Sequence, residues 1–269
     1  MKFKKDILLR YLSLAPLALA FERYLECQIF MEKSFEHPVL DLGCGDGLFA
    51  YVLFDEKIDT GIDPNSNELR RAANLGIYCE LIECTGDKIP KPDSIYKTVF
   101  SNSVIEHISN LDPVFLEIHR ILKPEGRFYF SVPTENFDHY TWGNRILSSF
   151  GFRHMALKYR EFCNKKIWHH SHYLSPSQWK SIAEKNGFDI VESRLYDSKK
   201  ICFLNNFFYP FGLLGRVNKF LVNRWIIFPR IRQVLIYPFF LIFRNLYEEE
   251  KTQDHFGLVL IVAEKGDVK

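Results

Sequence analysis

The chain has 269 residues, of which 47% are hydrophobic, 25% charged and 16% aromatic, a composition that supports a packed core and excludes intrinsic disorder. Its 35 Lys and Arg against 33 Asp and Glu leave a formal +2, which argues against a dedicated nucleic-acid binder. No uncharged apolar run reaches the roughly 18–20 residues of a membrane-spanning helix. Six cysteines (Cys27, Cys44, Cys79, Cys84, Cys163, Cys202) show no CxxC pair and no zinc spacing. Neither a disulfide framework nor a structural zinc site is expected, and a reducing cytoplasm fits.

At the start, Lys2, Lys4 and Lys5 precede an uncharged run over 11–21, and Ala18-Leu19-Ala20 mimics a signal-cleavage site. Asp6 and Arg10 interrupt that flank, and Leu17, Phe21 and Leu25 continue at helical spacing past the supposed cut. Residues 1–37 therefore read as a helical cap on the folded domain.

From 38 to 132, strand-like and helix-like segments alternate. Val39–Leu42 is a short apolar strand, followed by a glycine-rich turn and a helix to about Phe54. A second strand covers 58–62, then Asn65 or Ser66 caps a helix that Gly76 ends. Third and fourth strands cover 77–84 and 96–100. Asp112-Pro113 opens a helix at its cap and first position, and Lys123-Pro124-Glu125-Gly126 closes it before a fifth strand over 127–132. Residues 134–172 are irregular and rich in His, Tyr and Trp. Ser175-Pro176 opens a helix to Asn186, a strand follows over 188–195, and a last strand covers 257–263. Such alternation predicts a doubly wound α/β sheet, mostly parallel and covered by helices.

Val39-Leu40-Asp41-Leu42-Gly43-Cys44-Gly45-Asp46-Gly47 is the most informative stretch. Glycines after a strand let the backbone approach a ligand, and the next helix aims its N–H groups toward it. Position 48 is Leu where a dinucleotide fingerprint needs Gly, so NAD(P) is disfavoured. Asp63 ends the second strand, where a carboxylate accepts both hydroxyls of a ribose. Asp87 follows the third, where a carboxylate accepts from an adenine amino group. Either Asp alone reads as a cap or turn residue. Three signals at successive strand ends read as a nucleotide site.

These stretches, with Ser101-Asn102-Ser103-Val104-Ile105-Glu106-His107-Ile108 and Ile121-Leu122-Lys123-Pro124-Glu125-Gly126, resemble the class I S-adenosylmethionine-dependent methyltransferases. The style is that of the ubiquinone/menaquinone-type small-molecule methyltransferases. The resemblance covers 38–132, resumes at 173–196 and ends with 257–263. It implies a seven-stranded Rossmann-like sheet with an antiparallel last strand, and S-adenosylmethionine as cofactor. It further implies cofactor contacts from Asp41, Gly43, Cys44, Gly45, Asp63, Asp87, Ser101, Asn102 and Ser103. One departure stands out: about sixty residues separate the last two strands, where the family has a short hairpin.

Methyl transfer is an in-line displacement, so alignment and exclusion of water are much of the protein's task. Oxygen nucleophiles also benefit from a general base, most often His. His107, after the fourth strand, and His169, His170 and His172, in the irregular region, are the catalytic candidates; His139 lies in the same region. Packing beneath the cofactor competes for His107, and plain solvation for the others. His169 and His172 form a weak metal pattern without a nearby carboxylate, so no metal site is expected. No Asn/Asp-Pro-Pro-aromatic motif follows the fourth strand, and base methylation of nucleic acid is not suggested.

Residues 198–247 carry eight basic residues (Lys199, Lys200, Arg216, Lys219, Arg224, Arg230, Arg232, Arg244), no acid and 13 of the 42 aromatics. On a helix, Arg216, Lys219 and Asn223 share one face, opposite Val217, Leu221, Trp225 and Phe228. The uncharged run 234–243 is too short to span a bilayer, but a basic, aromatic, amphipathic helix lies in its interface. The alternatives are a lid and a dimer contact, with the basic residues simply solvated. The organisation expected is thus a cap (1–37), a methyltransferase core (38–198) whose 134–172 cover the substrate, a basic aromatic insertion (199–250), and a last strand with tail (251–269). The function expected is methylation of oxygen or carbon on a hydrophobic or lipid-linked acceptor at an anionic cytoplasmic membrane face, with no nucleic-acid partner. A soluble glycan or metabolite as acceptor is the alternative. A catalytically silent membrane scaffold is another, against which the intact glycine turn, Asp63 and Asp87 weigh.

Overall fold

Central strands buried on both faces must be apolar throughout, and the sheet follows that rule. In the computed structural model all four residues of β1 (Val39–Leu42) are buried, and Asp41 is the single polar exception. The structure describes the backbone of residues 1–250 and 256–266, with side chains except at positions 239, 242 and 246–250. Beside β1 lie β2 (Ile58–Asp63), β3 (Tyr78–Glu83), β4 (Tyr96–Asn102), β5 (Leu122–Pro133), β6 (Phe188–Ser198) and β7 (Phe256–Lys265). Their order is β3-β2-β1-β4-β5-β7-β6, and only β7 runs antiparallel to its neighbours. The order reverses between β1 and β4, which puts the ligand crevice at the carboxyl ends of those two strands.

On one face pack α1 (Ile7–Leu14), α2 (Leu17–Met31) and α3 (Leu48–Leu53), with Tyr11, Phe21, Phe30 and Phe100 in one apolar cluster. The cap is two helices rather than one, because Pro16 cannot donate within a continuing helix. Ala18 and Ala20, the mimic of a cleavage site, are buried in α2. A second cluster gathers Phe115, Phe128, Phe130 and Trp179 beneath α5 (Asp112–Ile121) and α8 (Pro176–Lys185). Between β2 and β3, α4 (Ser66–Leu75) starts at the Asn65 cap and stops at left-handed Gly76. α5 begins one residue earlier than expected: Leu111 holds the cap position, and Asp112 instead pairs with Lys185 and Asn186. The 123–126 stretch belongs to β5, where a register shift between Tyr96 and Thr98 absorbs it.

Between β5 and β6 run α6 (Trp142–Ser149), α7 (Arg153–Phe162) and a π turn (Cys163–Trp168). Between β6 and β7 stand two long helices, α9 (Lys199–Val222) and α10 (Pro229–Glu250), packed against α2 and α1. Trp225 and Phe228 therefore lie in the link between helices, not on the amphipathic face the sequence suggests. Part of the expected tail, 251–255 and 267–269, lies outside the described residues.

Candidate active site

After β1 the chain turns through three left-handed glycines, Gly43 (φ +76°), Gly45 (φ +53°) and Gly47 (φ +74°). The amides of Gly43 and Cys44 both donate to the Ile62 carbonyl at 2.9 Å, which closes the turn onto β2. A Cβ on Gly43 would stand 2.4 Å from Val104 Cγ1, whereas one on Gly45 would meet nothing within 4 Å. Gly45 is thus the open rung of the turn, where another molecule can approach the backbone. Asp63 accepts from the Gly45 amide at 2.9 Å and from the Asn65 amide at 2.8 Å. Half-buried and with lone pairs to spare, it suits the paired hydroxyls of a ribose. The turn and Asp63 fit a nucleoside.

The other sequence candidates divide. Asp41 is buried below the turn and accepts from Tyr78 Oη at 2.7 Å; burial pushes its carboxyl up to about 7. Cys44 is buried, and Asp87 is exposed in the turn after β3, outside the cavity described below. Ser101 is buried and its hydroxyl donates to the Leu42 carbonyl, tying β4 to β1. Asn102 donates to Glu26 Oε2 and accepts from Ser131, while Ser103, at φ +53°, bonds Glu26 Oε1 and Arg23. Two of the three candidates at the end of β4, Asn102 and Ser103, are therefore wired to α2. Sequence reasoning missed Glu22, Arg23 and Glu26, which sit on an otherwise apolar helix; charges at i, i+1 and i+4 on a buried helix were the available signal.

A cavity of about 290 Å³ opens between α2, the 3₁₀ turn Ile105–His107, the π turn and α9. Its polar end is lined by Glu22, Arg23, Ser103, Glu106, His107 and His170, and its apolar walls include Phe137, Trp168, Tyr209 and Trp225. Burial pushes Glu22 up to about 7 and Glu106 up to about 8. Burial also pulls His170 down to about 3, with His107 and His169 adding to the effect, and lowers His107. Both imidazoles are neutral at pH 7.

Of the four candidate histidines, the fold brings two together. The rings of His107 and His170 lie 5.0 Å apart, and His107 Nε2 is 4.0 Å from Glu106 Oε1. His107 Nδ1 faces the His169 carbonyl at 3.2 Å. His169 itself is exposed at φ +55°. His172 bonds the Ile108 carbonyl at 2.9 Å and packs on Trp179, so it buttresses the turn and does not line the cavity. His139 lies beside Asp138, also outside it.

The insertion reaches into this site, contrary to a wholly outward basic surface. Lys219 Nζ pairs with Asp46 in the glycine turn (2.8 Å) and with Glu68 on α4 (2.7 Å). Trp225 Nε1–H donates to the same Asp46 carboxylate at 2.7 Å. Burial alone would raise the Asp46 carboxyl, but Lys219 holds it below the usual range. Arg232 turns inward too, donating to the Leu12 and Ala15 carbonyls at the end of α1. Arg216 stays exposed at the cavity rim, over the Tyr209 ring.

The profile of the methyltransferase-domain family matches residues 15–193. A sterol 4-C-methyltransferase of Caenorhabditis elegans is 34% identical over 126 residues, covering 42% of this chain and 37% of that protein. A ubiquinone biosynthesis O-methyltransferase of Rickettsia canadensis is 25% identical over 170 residues, 60% of this chain and 67% of that one. The chain thus spans about a third of the length of the sterol methyltransferases it matches. Among solved structures, an S-adenosylmethionine-dependent methyltransferase from Thermotoga maritima superposes with a TM-score of 0.56 over 93% of this chain and 91% of its own. At 15% identity that similarity speaks for the fold alone.

Proposed function

The chain belongs to the methyltransferase-domain family, and from that membership we propose that it methylates oxygen or carbon of a lipophilic acceptor at a membrane surface. Its cofactor is S-adenosylmethionine, which supplies an activated methyl group on a sulfonium. Gly45 and Asp63 hold its nucleoside, with the β4 turn at Ser103 leading from there into the cavity. The acceptor's apolar body lies against Phe137, Trp168 and Tyr209, and its reacting atom meets the Glu106, His107 and His170 end, where its proton is lost. α2 and the Trp225 link close the site from water, which favours transfer over hydrolysis. The names of the relatives, a sterol and a ubiquinone methyltransferase, support a lipophilic acceptor.

The observation that carries the membrane part is the outer surface of the insertion. Leu214 is 72% exposed, Phe220 81%, Phe228 65% and Val234 74%. A monomer rarely exposes so many large apolar side chains together. Arg216, Arg224 and Arg230 are exposed among them, as an anionic interface favours. No helix among the described residues is long and apolar enough to cross a membrane. One face of the insertion thus covers the cavity, and the other rests on lipid.

Two measurements test this reading. Asp63→Ala should weaken binding of S-adenosylmethionine and S-adenosylhomocysteine alike by about 1.5–3 kcal/mol, read by calorimetry. Wild-type affinity in the folded variant removes Asp63 from the site. In sedimentation, the protein should pellet with phosphatidylglycerol-containing vesicles more than with phosphatidylcholine alone, losing part of its binding at high salt. Protein that stays in the supernatant at low salt makes the insertion a lid or dimer contact, and the acceptor need not then be a lipid.

A further inference from the structure

The polar end of the cavity gathers more buried carboxyl groups than its one guanidinium can pair. Glu26 is fully buried and both of its oxygens face Arg23 Nη1, at 2.7 and 2.6 Å. Glu22 stands 3.9 Å from the same nitrogen. Glu106, 1% exposed, completes a set of three carboxyl groups around Arg23. Uncompensated charge in a dry site is costly, and proteins meet it with a partner or a metal.

The atoms left over say which. Glu106 Oε2 and His170 Nδ1 are both buried, and neither has a hydrogen-bond partner among the described residues. One donor atom from each of Glu106, His107 and His170 lies within 4.8 Å of the others. The His107 ring is already oriented for coordination. Its Nδ1 faces the His169 carbonyl as a donor, which fixes the tautomer and leaves the Nε2 lone pair toward Glu106. A carbonyl holding the far nitrogen of a ligating histidine is a recurrent arrangement around metals.

We propose that Glu106, His107 and His170 bind a divalent first-row transition ion at the polar end of the acceptor cavity. One carboxylate oxygen and two imidazole nitrogens suit Zn²⁺, and also Mn²⁺ or Fe²⁺, better than Mg²⁺ or Ca²⁺, which prefer all-oxygen shells. Three protein ligands leave positions open toward the cavity, where the acceptor's hydroxyl can coordinate and lose its proton more readily. Neither histidine need then act as a base. This inference rests on the cavity being the acceptor site, and it specifies how that site handles the hydroxyl.

The ligand set was invisible in sequence because 63 positions separate His107 from His170 and the π turn aims the second ring. The test uses full-length protein stripped with a chelator and then dialysed. Calorimetry with Zn²⁺ should give one site, and Co²⁺ should produce the visible absorption of a nitrogen-ligated ion. His170→Ala and Glu106→Gln should each weaken Zn²⁺ binding by about 100-fold or more, since even indirect supports of a metal site are worth 10–100-fold. His154→Ala, an exposed histidine on α7, should leave it unchanged. If the variants misfold, the wild-type Co²⁺ spectrum still decides, because absence of a ligand-field band overturns the proposal. Binding that persists unchanged in folded His170→Ala also overturns it. S-Adenosylhomocysteine binding is measured in parallel on the stripped protein. Intact nucleoside binding without metal binding defeats the ion alone, whereas loss of nucleoside binding in both states defeats the methyltransferase reading.

Discussion

The glycine turn and the insertion meet at Asp46, yet they are built on opposite terms. The turn is a local object: three glycines within five residues, each at positive φ, fastened to the next strand by amides that donate to a single carbonyl. The insertion is a remote object whose inner contacts reach back some 150 to 220 positions, Lys219 to Glu68 and Arg232 to Leu12. A local constraint leaves a residue-type signature, because only glycine adopts that backbone at no cost. A long-range one leaves almost none, since Lys serves equally in water, on lipid or in an ion pair. Two kinds of substitution should separate them.

The largest effect is expected at Gly43. Alanine there combines an unfavourable left-handed backbone with a Cβ driven into Val104, and should destabilise by about 3 kcal/mol or more in denaturant unfolding. Gly45→Ala, with open space around it, should lose only about 1–2 kcal/mol while still impairing cofactor binding. Equal losses at the two positions would dissolve the distinction between a packed and an open rung. Next is pH. Asp41 is pushed up to about 7 when folded, so the unfolded chain releases that proton first, and stability falls as pH rises from about 4 to 7. At about 1.4 kcal/mol per unit the loss approaches 4 kcal/mol, and Asp41→Asn should gain on wild type by up to that amount between pH 4 and pH 8. A variant-minus-wild-type difference that stays flat with pH would show Asp41 to titrate normally.

Asp46→Ala should cost about 2–3 kcal/mol, because it leaves Lys219 with Glu68 alone and Trp225 without its acceptor. The insertion should then exchange its amide hydrogens faster than the sheet does. Unchanged protection over 219–228 would mean that packing on α1 and α2 holds it unaided. Smallest is Phe220→Ser. At 81% exposure it should shift stability by no more than about 0.5 kcal/mol while lowering vesicle binding severalfold. A large stability change would place Phe220 in a contact within the protein.

The same contrast explains what could be read without a structure. The strands, the Gly76 stop and the Asn65 cap were legible because each rests on neighbours in sequence. Asp63 stood out for its place at the end of β2, and the structure shows it accepting from the Gly45 and Asn65 amides there. Lys219 and Arg232 were counted with the outer charge because helix periodicity names a face and not what the face meets. Glu106 was overlooked beside His107 for a similar reason: only His170, just past the π turn and 63 positions beyond His107, makes that carboxylate one of a group.

The place of β7 has a consequence for how the chain assembles during synthesis. β6 pairs with β7 and not with β5, so it has no strand partner until Lys265 has left the ribosome. At roughly 5–20 residues per second, the stretch from Ser198 to Lys265 takes roughly 3–13 seconds. Through that interval β6 presents an open edge while two helices and their link, bearing Phe211, Phe220 and Phe228, emerge beside it. The nucleotide half can close around its glycine turn long before the sheet is finished. A membrane face or a chaperone that shields α9 and α10 in those seconds would protect an unfinished sheet as well as an apolar surface.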